Sequence, residues 1–252
     1  MQKKIEDVFK INEEQPLFYI ESGSRLWGIA SPDSDYDVRG FHLQSKQQYF
    51  DFKKHRDIIE IMDGDFDFVS YDIDKMFVLL SKSNPTVFEW IRAHISYMNN
   101  LPHWQQLQKD IIANFDFKSL YYHYLSLAKG NIHLMKKEKK FTYKTVFYTI
   151  RGLLSADLSA QKIIPELLID KLFQQFNAAH EVLQIAKESL YRKKQSAEKE
   201  TVDLPTRETI LVAIKKYATQ LEGNLPKIDH HQKKLNDILT AYSFAIKQKY
   251  YS

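Results

Sequence analysis

Residues 17–43, LFYIESGSRLWGIASPDSDYDVRGFHL, decide how this chain folds. The first six, Leu17 to Ser22, are a mostly apolar run that breaks at Gly23, as a buried strand entering a tight turn does. A short helix is expected from Arg25, and Ser31-Pro32-Asp33-Ser34 reads as a loop by its Pro, Asp and Ser content. Residues 35–43, DYDVRGFHL, then alternate with a period of two. Asp35, Asp37 and Arg39 fall on one face of that strand, and Tyr36, Val38 and Gly40 on the other.

Further along, residues 57–62 and 66–71 read as two strands that pair around the turn signal Asp63-Gly64. From Ile73 the pattern becomes helical, with Met76, Phe77, Leu79 and Leu80 at helical spacing until Asn84-Pro85 forces a stop, so a helix-loop-helix is expected there. Beyond residue 101 strand signals vanish, and helical periodicity covers 101–114, 117–138, 141–157, 165–190, 206–222 and 230–250. The expected fold is α+β: a small mixed sheet with flanking helices over residues 1–100, followed by a helical bundle over 101–252. No Gly/Ser/Pro-rich linker marks the boundary, and the most linker-like stretch, 195–203, lies inside the helical part.

Composition narrows the function. The 252 residues are 44% apolar with 13% aromatics, enough for a packed core, and only seven glycines and seven prolines argue against a many-stranded sandwich. The lack of cysteine excludes disulfides, thiolate metal sites and a Cys nucleophile. The charged N-terminus MQKKIEDVFKINEE has no apolar leader region, and no stretch reaches about 18 uninterrupted apolar residues, so a cytoplasmic protein without a membrane partner is expected. A net charge of +4 makes no strong claim for nucleic acid, although acids concentrate between residues 31 and 74 and lysines in the second half.

Two carboxylates at i and i+2 on a strand point to the same side, so Asp35 and Asp37 can converge on a pair of Mg²⁺ ions. Two-metal sites usually take a third carboxylate from a neighbouring strand. Asp67 is the first choice, with Asp72 as its rival and Asp65 as a weaker one next to the turn. Gly23-Ser24, where a strand ends and a helix starts, offers free backbone N–H groups and close approach for a phosphate, and Arg25 adds a cation. Arg39 is suited either to meeting phosphate or to bridging the carboxylates. Lys144, Tyr148 and Arg151 share one helix face, suited to clamping a triphosphate or stacking a base, or to a solvated helix edge. His123 and His133 read as hydrogen-bonded histidines, Asn84-Pro85 and Glu89-Trp90 as helix punctuation and packing, and the lysine run at 136–140 as a solvated face or, beside a nucleotide site, as a surface for RNA or another anionic co-substrate.

Taken together and in this order, GSRLWGIASPDSDYDVRG resembles the Gly-Ser…Asp-x-Asp signature of the DNA polymerase β-like nucleotidyltransferase superfamily. With the later DFDFVSYDIDKMFVLLSKSNPTVFEW it is similar to a bacterial and phage family of nucleotidyltransferases, some associated with RNA ligases; YYHYLSLAKGN and KTVFYTIRGLL extend the likeness over residues 19–155. The resemblance implies transfer of a nucleoside monophosphate from an NTP, Gly23 and Ser24 as the phosphate-binding turn, and Asp35 and Asp37 as ligands to two Mg²⁺ ions, with Mn²⁺ as the alternative. Asp67 fits the third-acid position, with Asp72 and then Asp65 left open beside it. The acceptor is left open between RNA, a small molecule and a protein. The competing reading is a non-catalytic nucleotide sensor, or an antitoxin-like partner protein, on the same fold. The intact carboxylates count against it, since a pure binder gains nothing from holding like charges together.

Overall fold

The computed structural model describes residues 1–10, 14–31, 34–137, 140–195, 200–224 and 232–252. Pro32 and Asp33 of the expected loop, Lys139 of the lysine run and residues 196–199 of the linker-like stretch lie outside them. The first elements are α1 (Gln2–Phe9), β1 (Gln15–Glu21), α2 (Gly23–Leu26), β2 (Tyr36–Leu43), α3 (Lys46–Phe50), β3 (Ile58–Asp63), β4 (Phe66–Asp72), α4 (Ile73–Ser81), α5 (Pro85–Ile91) and β5 (Ser96–Asn99). Helices follow: α6 (Trp104–Asn114), α7 (Phe117–Met135), α8 (Tyr143–Ala160), α9 (Ile169–Gln174), α10 (Glu181–Gln195), α11 (Leu204–Glu222) and α12 (Gln232–Tyr251). Two compact units form, neither continuous in sequence: residues 1–27, 33–115 and 230–252, and residues 28–32 with 116–229.

The first unit carries a five-stranded mixed sheet in the order β3-β4-β2-β1-β5. β2 and β4 run parallel, while the other neighbours are antiparallel. The β3–β4 hairpin turns at Gly64, whose φ of +59° is open to glycine at no steric cost. Alternation gives the sheet two different faces. Val38, Phe66, Phe68 and Tyr19 join Ile5 and Phe9 of α1 and Met98 of β5 in one buried cluster. At about 1.5–3 kcal/mol per buried apolar side chain, this cluster pins the register, because a one-residue slip would turn its members to the other face. On that other face Phe18 packs on Trp104 of α6, and Phe41 and Tyr71 pack on Trp90 of α5.

Gly40 sits mid-strand in β2, where a Cβ would lie 2.0 Å from the Phe18 carbonyl oxygen and 2.4 Å from the Tyr19 ring, so only glycine fits between these strands. The Asn84 side chain caps α5 with Pro85 in its first turn, which is the expected helix-loop-helix. β5 is a strand that the periodicity does not announce. It is only four residues long, Ser96–Asn99, and its pairing with β1 is irregular around Tyr97, too little for an alternation to show.

The second unit is helical. α8 packs along α7, and Gly152 permits the approach, since a Cβ there would meet the Tyr124 carbonyl at 3.1 Å. Asp116, Thr142 and Asp203 cap α7, α8 and α11 through their side chains. The helix expected over 165–190 is two helices, α9 and α10. Asn177 accepts a hydrogen bond from the Ala179 N–H at 2.9 Å, an Asx turn that takes the backbone out of the helical path.

Candidate active site

The parallel pairing sets Asp37 of β2 level with Asp67 of β4. Arg39, two residues on and on the same face, reaches back between them. Its Nη2 donates to Asp37 Oδ1 at 3.1 Å and to Asp67 Oδ2 at 2.7 Å, while its Nη1 donates to the main-chain carbonyls of Val38 (3.1 Å) and Asp67 (2.6 Å). Burial raises the Asp37 carboxyl above its usual range. The neighbouring carboxylates of Asp67 and Asp35 push the same way, and Arg39 opposes them.

Gly23 closes over Asp37. Its φ is +56°, and a Cβ there would lie 2.0 Å from Asp37 Oδ2, so the turn both adopts a left-handed conformation and leaves room for the carboxylate. Ser22 N–H donates to the Asp37 carbonyl at 2.8 Å, tying the turn to β2. Ser24 follows as the second residue of α2, the expected short helix, which begins at Gly23 rather than Arg25.

Asp35 stands one residue before β2 and is exposed, because the ladder opens at Tyr36, whose N–H donates to the Asp65 carbonyl at 2.7 Å. Arg25 is turned toward this loop. Its Nε donates to the Asp35 carbonyl (3.1 Å), its Nη2 to that of Ser34 (2.7 Å), and its guanidinium lies 3.9 Å from the Tyr36 ring centroid. It thereby holds the segment that carries Asp35.

Of the three candidates for the third acid, Asp67 is the one beside Asp37. Asp72 is five residues further along β4, an odd number, so it faces the α1 side, where it caps α4 through the Asp74 N–H at 2.9 Å. Asp65 is exposed and precedes the strand. Lys144, Tyr148 and Arg151 belong to α8 of the second unit, where Arg151 is buried.

Two residues of the site carry no motif. Glu21, the last residue of β1, is buried and accepts from the Asp37 N–H at 3.0 Å, while the Tyr97 hydroxyl donates to its other oxygen. Burial raises the carboxyl of Glu21 above its usual range. An acid closing an otherwise apolar strand was the only signal for it. Among the described residues, no group of three or more His, Asp or Glu side chains is arranged to hold a metal ion as it stands. Asp37 and Asp67 are occupied with Arg39 instead.

A mixed sheet with a Gly-Ser turn after its first strand, and with acids level on its two parallel strands, places the chain in the class of polymerase β-like nucleotidyltransferases. The model of the RNA repair pathway DNA polymerase beta family matches residues 1–241, and the chain belongs to that family. It is 31% identical over 207 residues to the uncharacterized protein YcgL of Bacillus subtilis (strain 168), covering 81% of this chain and 77% of that protein. It is also 33% identical over 144 residues to the uncharacterized protein MJ0002 of Methanocaldococcus jannaschii, covering 55% of this chain and 58% of that one. A solved nucleotidyltransferase-like protein from Exiguobacterium sibiricum 255-15 aligns with 99% of this chain and 80% of its own, at 11% identity and a TM-score of 0.30. No helix among the described residues is long and apolar enough to cross a membrane.

Proposed function

We propose that this chain is a metal-dependent nucleotidyltransferase that moves a nucleoside monophosphate from an NTP to a hydroxyl acceptor. The observation that carries this reading is the level placement of Asp37 and Asp67 on adjacent parallel strands, with Gly23 fitted over Asp37. The acceptor oxygen attacks the α-phosphorus, the bond from that phosphorus to the α–β bridging oxygen breaks, pyrophosphate leaves, and the hydroxyl proton passes to a carboxylate of the site. The residues fit a divalent cation: the donors are hard carboxylate oxygens, and a positive group, Arg39, already lies between two of them. Asp35, Asp37 and Asp67 would hold Mg²⁺, or Mn²⁺ in its place; bound there, it lowers the pKa of the attacking hydroxyl and neutralises the triphosphate. Gly23 and Ser24 receive the triphosphate through backbone N–H groups, and Arg25 fixes the Asp35 loop.

The family description makes RNA the first acceptor to try, ahead of small molecules and proteins. Purified protein incubated with each α-labelled NTP and Mg²⁺ is expected to label an acceptor. In Asp37→Asn and Asp67→Asn the rate is expected to fall by about 10³-fold or more, the scale on which metal-held charge stabilises a transition state. Equal labelling by wild type and both variants sinks the reading. One observation favours the sensor instead: Arg39 already bridges the carboxylate pair without any ion. NTP binding that is indifferent to Mg²⁺ in calorimetry, with no label transferred, would decide for it.

A further inference from the structure

Arg39 bridges the Asp37–Asp67 pair and so competes with the ion the same pair would hold. One guanidinium nitrogen touches both carboxylates at 3.1 and 2.7 Å, and the other is anchored on two main-chain carbonyls, with the side chain 15% exposed. Two carboxylates set level on neighbouring strands repel, and a planar, permanently charged fork is suited to hold them together. Nη2 takes Asp37 Oδ1 and Asp67 Oδ2, so a divalent cation drawn to the pair competes with the guanidinium for these two oxygens and for the charge behind them. We infer that Arg39 is the resident counter-cation of the site and that it exchanges: it holds the pair when no divalent cation is bound, leaves it when one binds, and then points its charge at the incoming triphosphate.

This inference rests on the nucleotidyltransferase reading for its last step only. The exchange couples two ligands. An ion alone must displace Arg39 without compensation, whereas an ion arriving with a triphosphate gives Arg39 a new anionic partner. Divalent cation and nucleotide therefore bind cooperatively, and Arg39 is the positioning residue that links them.

The test needs no turnover. Mg²⁺, and separately Mn²⁺, is titrated calorimetrically into metal-free wild type, Arg39→Lys and Arg39→Met at pH 7.5, with and without α,β-methylene-ATP. Mg²⁺ is expected to bind Arg39→Met on the order of tenfold more tightly than wild type without nucleotide, because no charge-assisted hydrogen bonds compete for the oxygens. Arg39→Lys keeps the charge but loses the fork, so an intermediate affinity is expected. The nucleotide is expected to tighten Mg²⁺ binding in wild type and to do so much less in Arg39→Met.

Melting temperatures add a readout of the empty site. Arg39→Met is expected to melt below wild type in EDTA and to recover more than wild type on adding Mg²⁺. Circular dichroism of Arg39→Lys checks that folding is intact. Equal Mg²⁺ affinities in all three proteins, or no binding in any, overturn the inference. If the affinities differ as expected while no acceptor is ever labelled, the exchange stands and the catalytic reading fails.

Discussion

At one end of the β2–β4 ladder Asp37 lies level with Asp67, and at the other His42 lies level with Asp72. The two pairs are five residues apart on the same strands, so they face opposite sides of the sheet. Asp37 and Asp67 are half-buried on the face where water still reaches them, and Arg39 bridges them, offsetting part of their charge. His42 and Asp72 lie on the α1 side and are buried. Burial pushes His42 down to about 4, leaving a neutral ring whose Nδ1 meets Ser70 Oγ at 2.8 Å, and Ser70 in turn meets the Tyr19 hydroxyl at 2.7 Å. Burial pushes Asp72 up to about 6, against the pull of the Asp74 and Gln44 N–H groups. Charge that stays hydrated and paired remains available to a ligand, whereas charge enclosed by a core is given up to a proton change. Register alone does not separate the two ends; the face does.

The largest expected effect comes from breaking the strand that joins them. Gly40→Ala puts a Cβ 2.0 Å from the Phe18 carbonyl and should cost about 3 kcal/mol or more, as overpacking against backbone does. A urea midpoint close to that of wild type would show that β1 and β2 can part without loss, and that both ends are less rigidly coupled than their shared register implies.

The next effect tests the proton half of the comparison. Between 3.8 and about 6 native Asp72 keeps a proton that the unfolded chain releases, so its contribution lowers stability as pH rises. Between 6.5 and about 4 unfolded His42 takes up a proton that the native ring refuses, so its contribution lowers stability as pH falls. Over about pH 4 to 6 the two oppose each other. His42→Asn should unmask a stability that declines with rising pH, and Asp72→Asn one that increases, each with a limiting slope of about 1.4 kcal/mol per pH unit. Chemical denaturation at several pH values reads both, and parallel profiles for the two variants would break the comparison.

The smallest effect falls at the hydrated end. Gly23→Ala forces a side chain into φ +56° and against Asp37 Oδ2, at about 1–2 kcal/mol of local strain. Because Asp37 must turn away, the Mg²⁺-induced rise in melting temperature should shrink more than the melting temperature itself. Equal losses in both would reduce Gly23 to a structural turn.

Much of this was legible in the chain. Gly23, Asp37 and the hairpin around Gly64 follow from local rules, because turn chemistry and strand alternation are written residue by residue. Arg39 was legible as a residue of the site, with its choice between phosphate and carboxylates left open. The choice between Asp67 and Asp72 was not legible, since alternation gives two faces without saying which one a core covers. Glu21 and Tyr97 were not legible as a pair either: 76 residues separate them, and only the β1–β5 pairing brings them together.

Arg25 shows the same limit. Its charge next to Gly23-Ser24 suggested a phosphate ligand, whereas the fold turns its donors to the carbonyls of Ser34 and Asp35. α12, at the far end of the chain, belongs to the same compact unit as the sheet and packs on α4 and α6, which no period in its own sequence could express. By itself the sequence determined the elements, the turn chemistry and the residue types at the site, because burial periodicity and backbone preference act over a few neighbours. Only the tertiary structure decided the parallel β2–β4 register, the face on which the acids stand and the partner Arg39 holds, because these depend on which distant strands meet and which core covers them.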